Sequence, residues 1–194
     1  NIQSMDELVD LMPQFSNGAP ITIENPGADR QVIAGAIVRG ISVKSVTYAA
    51  PGNSGPVLDH FNPDAVSAYF DSISDALRLH IGPEYAAKLL ALFVDSVELS
   101  GSDWTTDIEE EFKQRRGYSL KPFLPFVAYP SEHQGYCEDD INFGPEMADL
   151  VARARHDFSL TLAELFRERF IETFHEWCQS KGAKPKYPPY GMPF

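Results

Sequence analysis

The sequence predicts an α/β fold, because segments with helical periodicity recur between short apolar runs that suit buried strands. The run "QVIAGAIVR" at 31–39 is rich in β-branched residues, and the run from Leu89 to Val94 is the longest unbroken apolar stretch. The segment at 62–82 lies between them and has apolar residues at helical spacing. Strands and helices that alternate in this way predict βα units around a parallel sheet.

The length of the chain limits how much of such a fold it contains. A complete (β/α)₈ TIM barrel takes about 250 residues, whereas this chain has 194 residues and only a few candidate strands. We therefore expect residues 1–194 to form a single α/β segment of the TIM-barrel type that contains only part of the barrel. The chain begins with Asn1 and carries no signal-peptide pattern, which predicts a piece of a larger protein.

Two capping boxes predict where helices begin. Ser4 with Glu7 predicts a short helix that Pro13 ends. Thr106 with Glu109 predicts a helix over "DIEEEFKQRR", and the glycine that follows this stretch predicts its end.

Two longer helices are predicted from caps and periodicity. Asn62 as N-cap and Pro63 in the first turn predict a helix over 62–82. A stripe of apolar residues from Met147 to Trp177 predicts one long helix that ends at a glycine. A loop is expected at about 118–143, and the proline-containing segment 183–194 is expected to hold a final strand.

Charge and composition narrow the classes of ligand. The chain has 16 basic and 28 acidic residues, for a net charge of −12, which argues against a nucleic-acid partner or an anionic membrane. The apolar run at 89–94 is also far too short to span a bilayer. The 13 Phe, 8 Tyr and 2 Trp provide core mass and flat faces on which sugars and other ring ligands stack.

Three acidic residues follow the candidate strand in "LALFVDSVELSGSDWT". They are Asp95, Glu98 and Asp103. Functional groups of parallel α/β folds lie at the carboxyl ends of strands, so these acids are site candidates. Period-two alternation places Asp95 and Glu98 on opposite faces of the strand. The alternative is structural, in which these acids cap the next helix or pair with Arg115 and Arg116.

The other chemical motifs give weaker signals. The segment "GNSGP" lacks the spacing of a serine nucleophile elbow, and no phosphate-binding glycine loop occurs. The five histidines show no zinc-binding pair, but His60 lies beside Asp59 in a predicted strand-end loop and is a site candidate, with a structural role equally open. Cys137 and Cys178 form no C-x-x-C motif, so they are either paired or free.

Several segments, read in order, resemble one known family. The most specific are "DSVELSGSDWT" at 95–105 and "RRGYSLKPFLP" at 115–125, and "AAPGNSGPVLDHF", "ARHDFSLTLAELFRERFIETFHEWCQSKG" and "KYPPYG" occur with similar spacing. Together they resemble the catalytic barrel of the α-L-rhamnosidases of glycoside hydrolase family 106. The looser similarity covers residues 51–193.

The resemblance implies a secreted enzyme that removes terminal α-L-rhamnosyl residues from plant polysaccharides or rhamnosides. It further implies an inverting mechanism, calcium near the sugar with ligands that we cannot assign, and a large multi-domain protein. By position, Glu98 is the expected general acid. The expected substrate-binding residues are Asp59, His60, Asp95, Asp103, Trp104 and Tyr190.

The catalytic pair decides between the alternatives. An inverting glycosidase needs a second carboxylate about 6.5–9.5 Å from the acid, and a retaining one needs a separation of about 5–5.5 Å. We expect the base on a later strand beyond Phe194. The main alternative is a non-catalytic carbohydrate-binding protein, or an inactive fragment, on the same scaffold.

Overall fold

The computed structural model describes residues 2–14, 46, 51–52, 54–95, 97, 99, 102–127 and 142–187. These residues are mainly helical and contain a small parallel sheet of two strands. The elements, in chain order, are α1 (Pro63–Ile81), β1 (Ala91–Phe93), α2 (Ile108–Arg116), α3 (Leu124–Val127), α4 (Pro145–Phe166), α5 (Glu172–Ser180) and β2 (Lys184–Lys186). Short 3₁₀ turns occur at Met5–Glu7, Met12–Gln14, Pro83–Lys88 and Lys121–Phe123.

Helix α1 forms as its sequence predicts. The Asn62 side-chain oxygen accepts hydrogen bonds from the backbone N–H groups of Asp64 and Ala65, at 3.1 and 3.3 Å, and Pro63 occupies the first turn. The helix ends at Gly82, whose φ of 100° suits a residue without a Cβ. Its buried face packs against α5.

The predicted long helix exists, but it is interrupted. A five-residue π-helical turn, Arg167–Ile171, separates α4 from α5, so the axis continues while the side-chain register shifts. The buried face follows the predicted apolar stripe except near its start, where Val151 is buried and the predicted Leu150 is only partly buried. It includes Met147, Val151, Ala154, Phe158, Leu162, Leu165, Phe170, Phe174 and Trp177.

The sheet is parallel, as the predicted βα units require. Ala91 pairs with Lys184 and Phe93 pairs with Lys186. The described residues do not form a TIM barrel; they show a mixed, mainly helical arrangement with this two-stranded sheet. The expectation that β1 is fully buried is wrong, because Phe93 is 53% exposed. Only one face of β1 packs on the core, through Leu92. The candidate strand at 31–39 lies outside the described residues.

Two local predictions are corrected. Helix α2 does not begin with a Thr106–Glu109 capping box; Asp107 is the N-cap residue and makes no side-chain capping bond, because its carboxylate binds Arg169 instead. The N-terminal helix is reduced to 3₁₀ turns, although Ser4 still caps the first of them at 3.3 Å. The part of the predicted loop at 121–127 is helical.

The core consists largely of aromatic rings from α1, α4, α5 and the π turn. Phe70 stacks on Phe174 with ring centroids 5.0 Å apart, and Phe166 stacks on Phe170 at the same distance. The buried side chains of α2 and α3 extend this layer. Among the described helices, none has the length and apolar character that a membrane span requires.

Candidate functional site

The candidate site lies at the carboxyl ends of the two paired strands, where parallel α/β folds bind ligands. The Val94 N–H donates to the Lys186 carbonyl at 3.0 Å, so both strands end side by side. Tyr187 follows β2, and its ring lies 6.2 Å from Phe166. The ring of His60 lies 6.3 Å from the same Phe166, which brings the residues before α1 to this edge.

Asp59 joins two of the predicted segments. One carboxylate oxygen accepts the Phe61 N–H at 3.0 Å and turns the chain into α1. The other oxygen accepts the Thr105 hydroxyl at 2.9 Å, 46 residues away. The segment that carries Asp59 and His60 therefore contacts the segment that carries Asp103 and Trp104.

His60 is held in one orientation. Its Nδ1 lies 2.7 Å from the Leu58 carbonyl, and because a carbonyl oxygen only accepts, the proton resides on Nδ1. The ring packs on Phe170 with centroids 4.8 Å apart. Burial lowers the pKa of His60, with smaller opposing effects from the Leu58 hydrogen bond and the Asp59 charge. The neutral ring consequently offers Nε2 as a hydrogen-bond acceptor.

Asp103 and Trp104 are both partly buried between β1 and α2. Burial raises the pKa of Asp103, and a hydrogen bond from its own backbone lowers it by less. Trp104 packs against the main apolar core. A desolvated carboxyl group close in sequence to an aromatic residue is consistent with a site that binds a polar ligand.

The remaining predicted residues are placed as follows. Asp95 is exposed and comes two residues after β1. Glu98, Tyr190 and Cys137 lie outside the described residues. Cys178 is buried with a free thiol, and burial raises its pKa.

The structural alternative for the strand-end acids involved Arg115 and Arg116, whose partners among the described residues lie on the helices. Arg115 donates to Glu111 at 3.0 Å and to Glu168 at 2.6 Å. Arg116 binds Glu164 and the Thr161 hydroxyl. The bonds to Glu164 and Thr161 attach α2 to α4, and the bond to Glu168 attaches α2 to the π turn.

Sequence reasoning missed Thr105, Asp107, Arg169 and Tyr187. Arg169 forms a bidentate pair with Asp107, with both N–O distances 2.8 Å, across 62 residues of sequence. The hydrogen bonds of Arg169 lower the pKa of Asp107 despite partial burial. No local pattern marks Arg169. Thr105 directly follows the predicted site residue Trp104, and Tyr187 directly follows β2 within the segment of the predicted final strand, so the strand-end argument could have included both.

A metal site needs several ligand side chains close together. Among the described residues, no group of three or more His, Cys, Asp or Glu side chains is arranged to hold a metal ion. Calcium therefore stays an expectation from the family resemblance, and no chemical step below involves that ion.

Comparison with solved structures shows a protein with a similar fold. A rhamnosidase from Novosphingobium sp. PP1Y matches 77% of this chain and 13% of its own chain, with a TM-score of 0.53 and 18% sequence identity. At this identity the likeness shows the fold alone. The described arrangement therefore resembles part of the fold of that rhamnosidase.

The sequence comparisons identify the family. The family model for glycoside hydrolase family 106, alpha-L-rhamnosidase, matches residues 2–187, and the chain belongs to this family. A protein of Formosa agariphila named "Putative beta-glucuronidase" is 27% identical over 146 residues, which is 75% of this chain and 11% of that protein. The chain therefore spans only a small part of the proteins that it matches.

Proposed function

We propose that this chain supplies part of the active site of a glycoside hydrolase that removes terminal α-L-rhamnosyl residues. The observation that carries the proposal is the family match over residues 2–187. It is supported by the carboxylate and aromatic side chains that gather at the carboxyl edge of β1 and β2. The chain covers only 13% of the solved rhamnosidase. Hydrolysis by the whole protein is therefore also part of what we propose.

The proposed chemistry assigns Glu98 as the general acid of an inverting reaction. Its protonated carboxyl donates a proton to the glycosidic oxygen as the bond from that oxygen to the anomeric carbon breaks. A second carboxylate, beyond Phe194 in this proposal, takes a proton from the water that attacks the opposite face of the sugar. Glu98 comes a few residues after β1 in the sequence. A catalytic acid needs a fixed position, and a neighbouring strand can provide it.

The described residues supply binding groups for this reaction. The Trp104 ring offers a flat apolar face for the sugar, and the neutral His60 offers Nε2 to a sugar hydroxyl. Asp103 offers a carboxyl group in a desolvated position. We extend the proposed contacts to Asp59 and Asp95, and to Tyr190, by the family resemblance.

Further properties enter the proposal from the family resemblance alone. They are action on plant polysaccharides or plant rhamnosides, secretion, calcium near the sugar and a multi-domain parent protein. None of them is needed for the acid–base chemistry described above.

The test is hydrolysis of an aryl α-L-rhamnoside by the full-length natural protein, with an aryl β-glucuronide as the competing substrate. We expect rhamnose release with the β-anomer forming first, as NMR detects for an inverting enzyme. Glu98→Gln keeps the side-chain shape and is expected to reduce kcat by a factor of about 10² to 10⁴ on a substrate with a poor leaving group.

Three results would contradict parts of the proposal. Faster release of glucuronic acid than of rhamnose would reject the substrate. Undiminished turnover by Glu98→Gln would reject the assigned acid. Rhamnose binding without any release would favour a carbohydrate-binding protein. Parallel assays with calcium and with a chelator test the expected ion separately.

A further inference from the structure

The π-helical turn between α4 and α5 presents an arginine to two separate parts of the chain, the start of α2 and the segment before α1. Arg169 lies in this turn, and its side chain is only 17% exposed. π-helical turns inside long helices occur frequently at functional sites. The Arg169 side chain contacts two segments that carry proposed site residues.

On one side Arg169 binds the start of α2. Its two terminal nitrogens each donate to one carboxylate oxygen of Asp107, at 2.8 Å, and one of them also donates to Glu111. A bidentate arginine–carboxylate pair fixes orientation as well as distance. Asp107 comes two residues after Thr105, so this pair fixes the end of the segment that carries the proposed sugar contacts.

On the other side Arg169 binds the segment before α1. Nη1, which donates to one Asp107 oxygen, also donates to the Phe61 carbonyl at 3.0 Å. The next residue of the turn, Phe170, packs on the His60 ring at 4.8 Å. Two consecutive residues of the π turn thus contact two consecutive residues of the segment that carries the proposed contacts Asp59 and His60.

A second hydrogen bond joins the same two segments independently. The Thr105 hydroxyl donates to Asp59 at 2.9 Å. We call the hydrogen bonds of Asp59 with Thr105, and of Arg169 with Phe61 and Asp107, the polar seam. The polar seam contains two links, and only the link through Arg169 also connects to the helical core.

We propose that Arg169 is a positioning residue that fixes the Asp59–His60 segment against the Trp104–Thr105 segment and so sets the width of the sugar site. Arg169 does not contact the reacting atoms in this proposal. The inference rests on the proposed function for its effect on catalysis, whereas its effect on the two segments is a property of the fold.

Arg115 provides a matched control. It is buried to a similar degree, with 22% of its side chain exposed, and it forms ion pairs with the other oxygen of Glu111 and with Glu168. Its hydrogen bonds reach α2, α4 and the π turn, and none of the described ones reaches residues 58–61. Loss of Arg115 therefore removes comparable charge pairing without releasing the polar seam.

The experiment compares Arg169→Met, Arg169→Lys and Arg115→Met in the full-length natural protein. Hydrogen exchange of residues 58–62 and 103–107 is measured by mass spectrometry, and kcat/KM on an aryl α-L-rhamnoside is measured at equal folded fraction. Arg169→Lys keeps the charge but lacks the planar fork, and it serves where the Met variant fails to fold.

We expect Arg169→Met to accelerate hydrogen exchange in both segments by at least about tenfold, because the variant lacks the hydrogen bonds that hold the two segments in place. We expect kcat/KM to fall roughly 10- to 100-fold, since small misplacements of binding groups have effects of that size. Arg169→Lys is expected to recover part of each loss, and Arg115→Met is expected to match wild type in both measurements.

Equal exchange in the Arg169 and Arg115 variants would overturn the inference, as would faster exchange with an unchanged kcat/KM. If the wild-type protein releases no rhamnose, the proposed function fails instead. The exchange comparison then still decides whether Arg169 holds the two segments together.

Discussion

The aromatic core and the polar seam are neighbouring regions that are held together by different interactions. The core consists of rings in direct contact, such as Phe70 on Phe174 and Phe166 on Phe170, at 5.0 Å. The polar seam consists of oriented hydrogen bonds between residues distant in sequence. Apolar packing depends mainly on volume and shape, whereas the seam depends on charge and direction.

We therefore expect substitutions in the core to change mainly the stability of the fold, and substitutions in the polar seam to change mainly the geometry of the site. Removal of a core ring is expected to destabilise the whole helical layer, because it leaves a cavity. Removal of one link of the seam is expected to leave the core intact and to release only the segments that carry the site. Phe170 and Arg169 make the contrast direct, because they are consecutive residues of one turn.

The largest expected effect is in the core. Phe170 is 2% exposed and contacts the rings of His60, Phe70, Phe166 and Phe174. Phe170→Ala is expected to reduce the free energy of unfolding by about 3–5 kcal/mol, measured by urea denaturation. The control is Tyr69→Ala, because Tyr69 is 50% exposed. A loss for Phe170→Ala no larger than that control would contradict the role of this ring.

The next effect concerns the charge pair of the seam under acid. Arg169 holds the pKa of Asp107 below its usual range, so this pair stabilises the fold fully above the ordinary aspartate pKa. That contribution is lost as pH falls through the lowered pKa. Asp107→Asn is expected to cost about 1–2 kcal/mol at neutral pH, and the difference from wild type is expected to shrink in acid.

Urea midpoints measured for both proteins across the acid range test this dependence. Glu164 and Glu168 also have lowered pKa values, through Arg116 and Arg115, so both proteins retain a common loss of stability in acid. A difference between the two proteins that stays constant with pH would contradict the assignment to Asp107.

A smaller effect is expected at the other link of the seam. Thr105→Val removes the hydroxyl that donates to Asp59 and is expected to cost about 1 kcal/mol. Thr106→Val is the matched control, because Thr106 is adjacent and exposed. Thr105→Ser is expected to restore most of the loss in a urea titration. Equal losses for Val at both positions would show that the hydrogen bond contributes nothing specific.

The smallest effect has the opposite sign. Burial raises the pKa of Asp103, so the folded state loses stability as pH rises from the ordinary aspartate pKa through the raised one. Asp103→Asn is therefore expected to raise Tm at neutral pH, by no more than about 3 °C, while it weakens rhamnose binding. Calorimetry measures both quantities. A lower Tm would show that the carboxylate is stabilised by its surroundings.

The sequence predicts the core far better than the seam. The α1 cap at Asn62 and the apolar stripe from Met147 to Trp177 are local patterns, and the structure confirms both. The π turn is not predictable from this stripe, because one inserted residue changes the helical periodicity very little. The prediction that β1 is fully buried was wrong, because an apolar run indicates burial without showing whether one or both faces of the strand are covered.

The site was predictable only as a set of separate segments. The strand-end argument identified the segments of Asp59 and of Asp103, and the structure links them through Thr105. Arg169 could not be predicted, since its partners lie 62 and 108 residues away and arginine on a polar helix face is ordinary. Long-range polar contacts depend on how elements pack, and local patterns do not encode that.

The most direct test of the central claim uses the two tryptophans of the chain. Trp104 lies in the proposed sugar site, whereas Trp177 lies on α5, where its Nε1 donates to Asp71 at 2.9 Å. L-rhamnose is titrated into the wild-type chain, Trp104→Phe and Trp177→Phe while tryptophan fluorescence is recorded. We predict a saturable change in the wild-type chain that persists in Trp177→Phe and disappears in Trp104→Phe. A change that persists in Trp104→Phe and disappears in Trp177→Phe, or no change in the wild-type chain at saturating sugar, would contradict the proposed site.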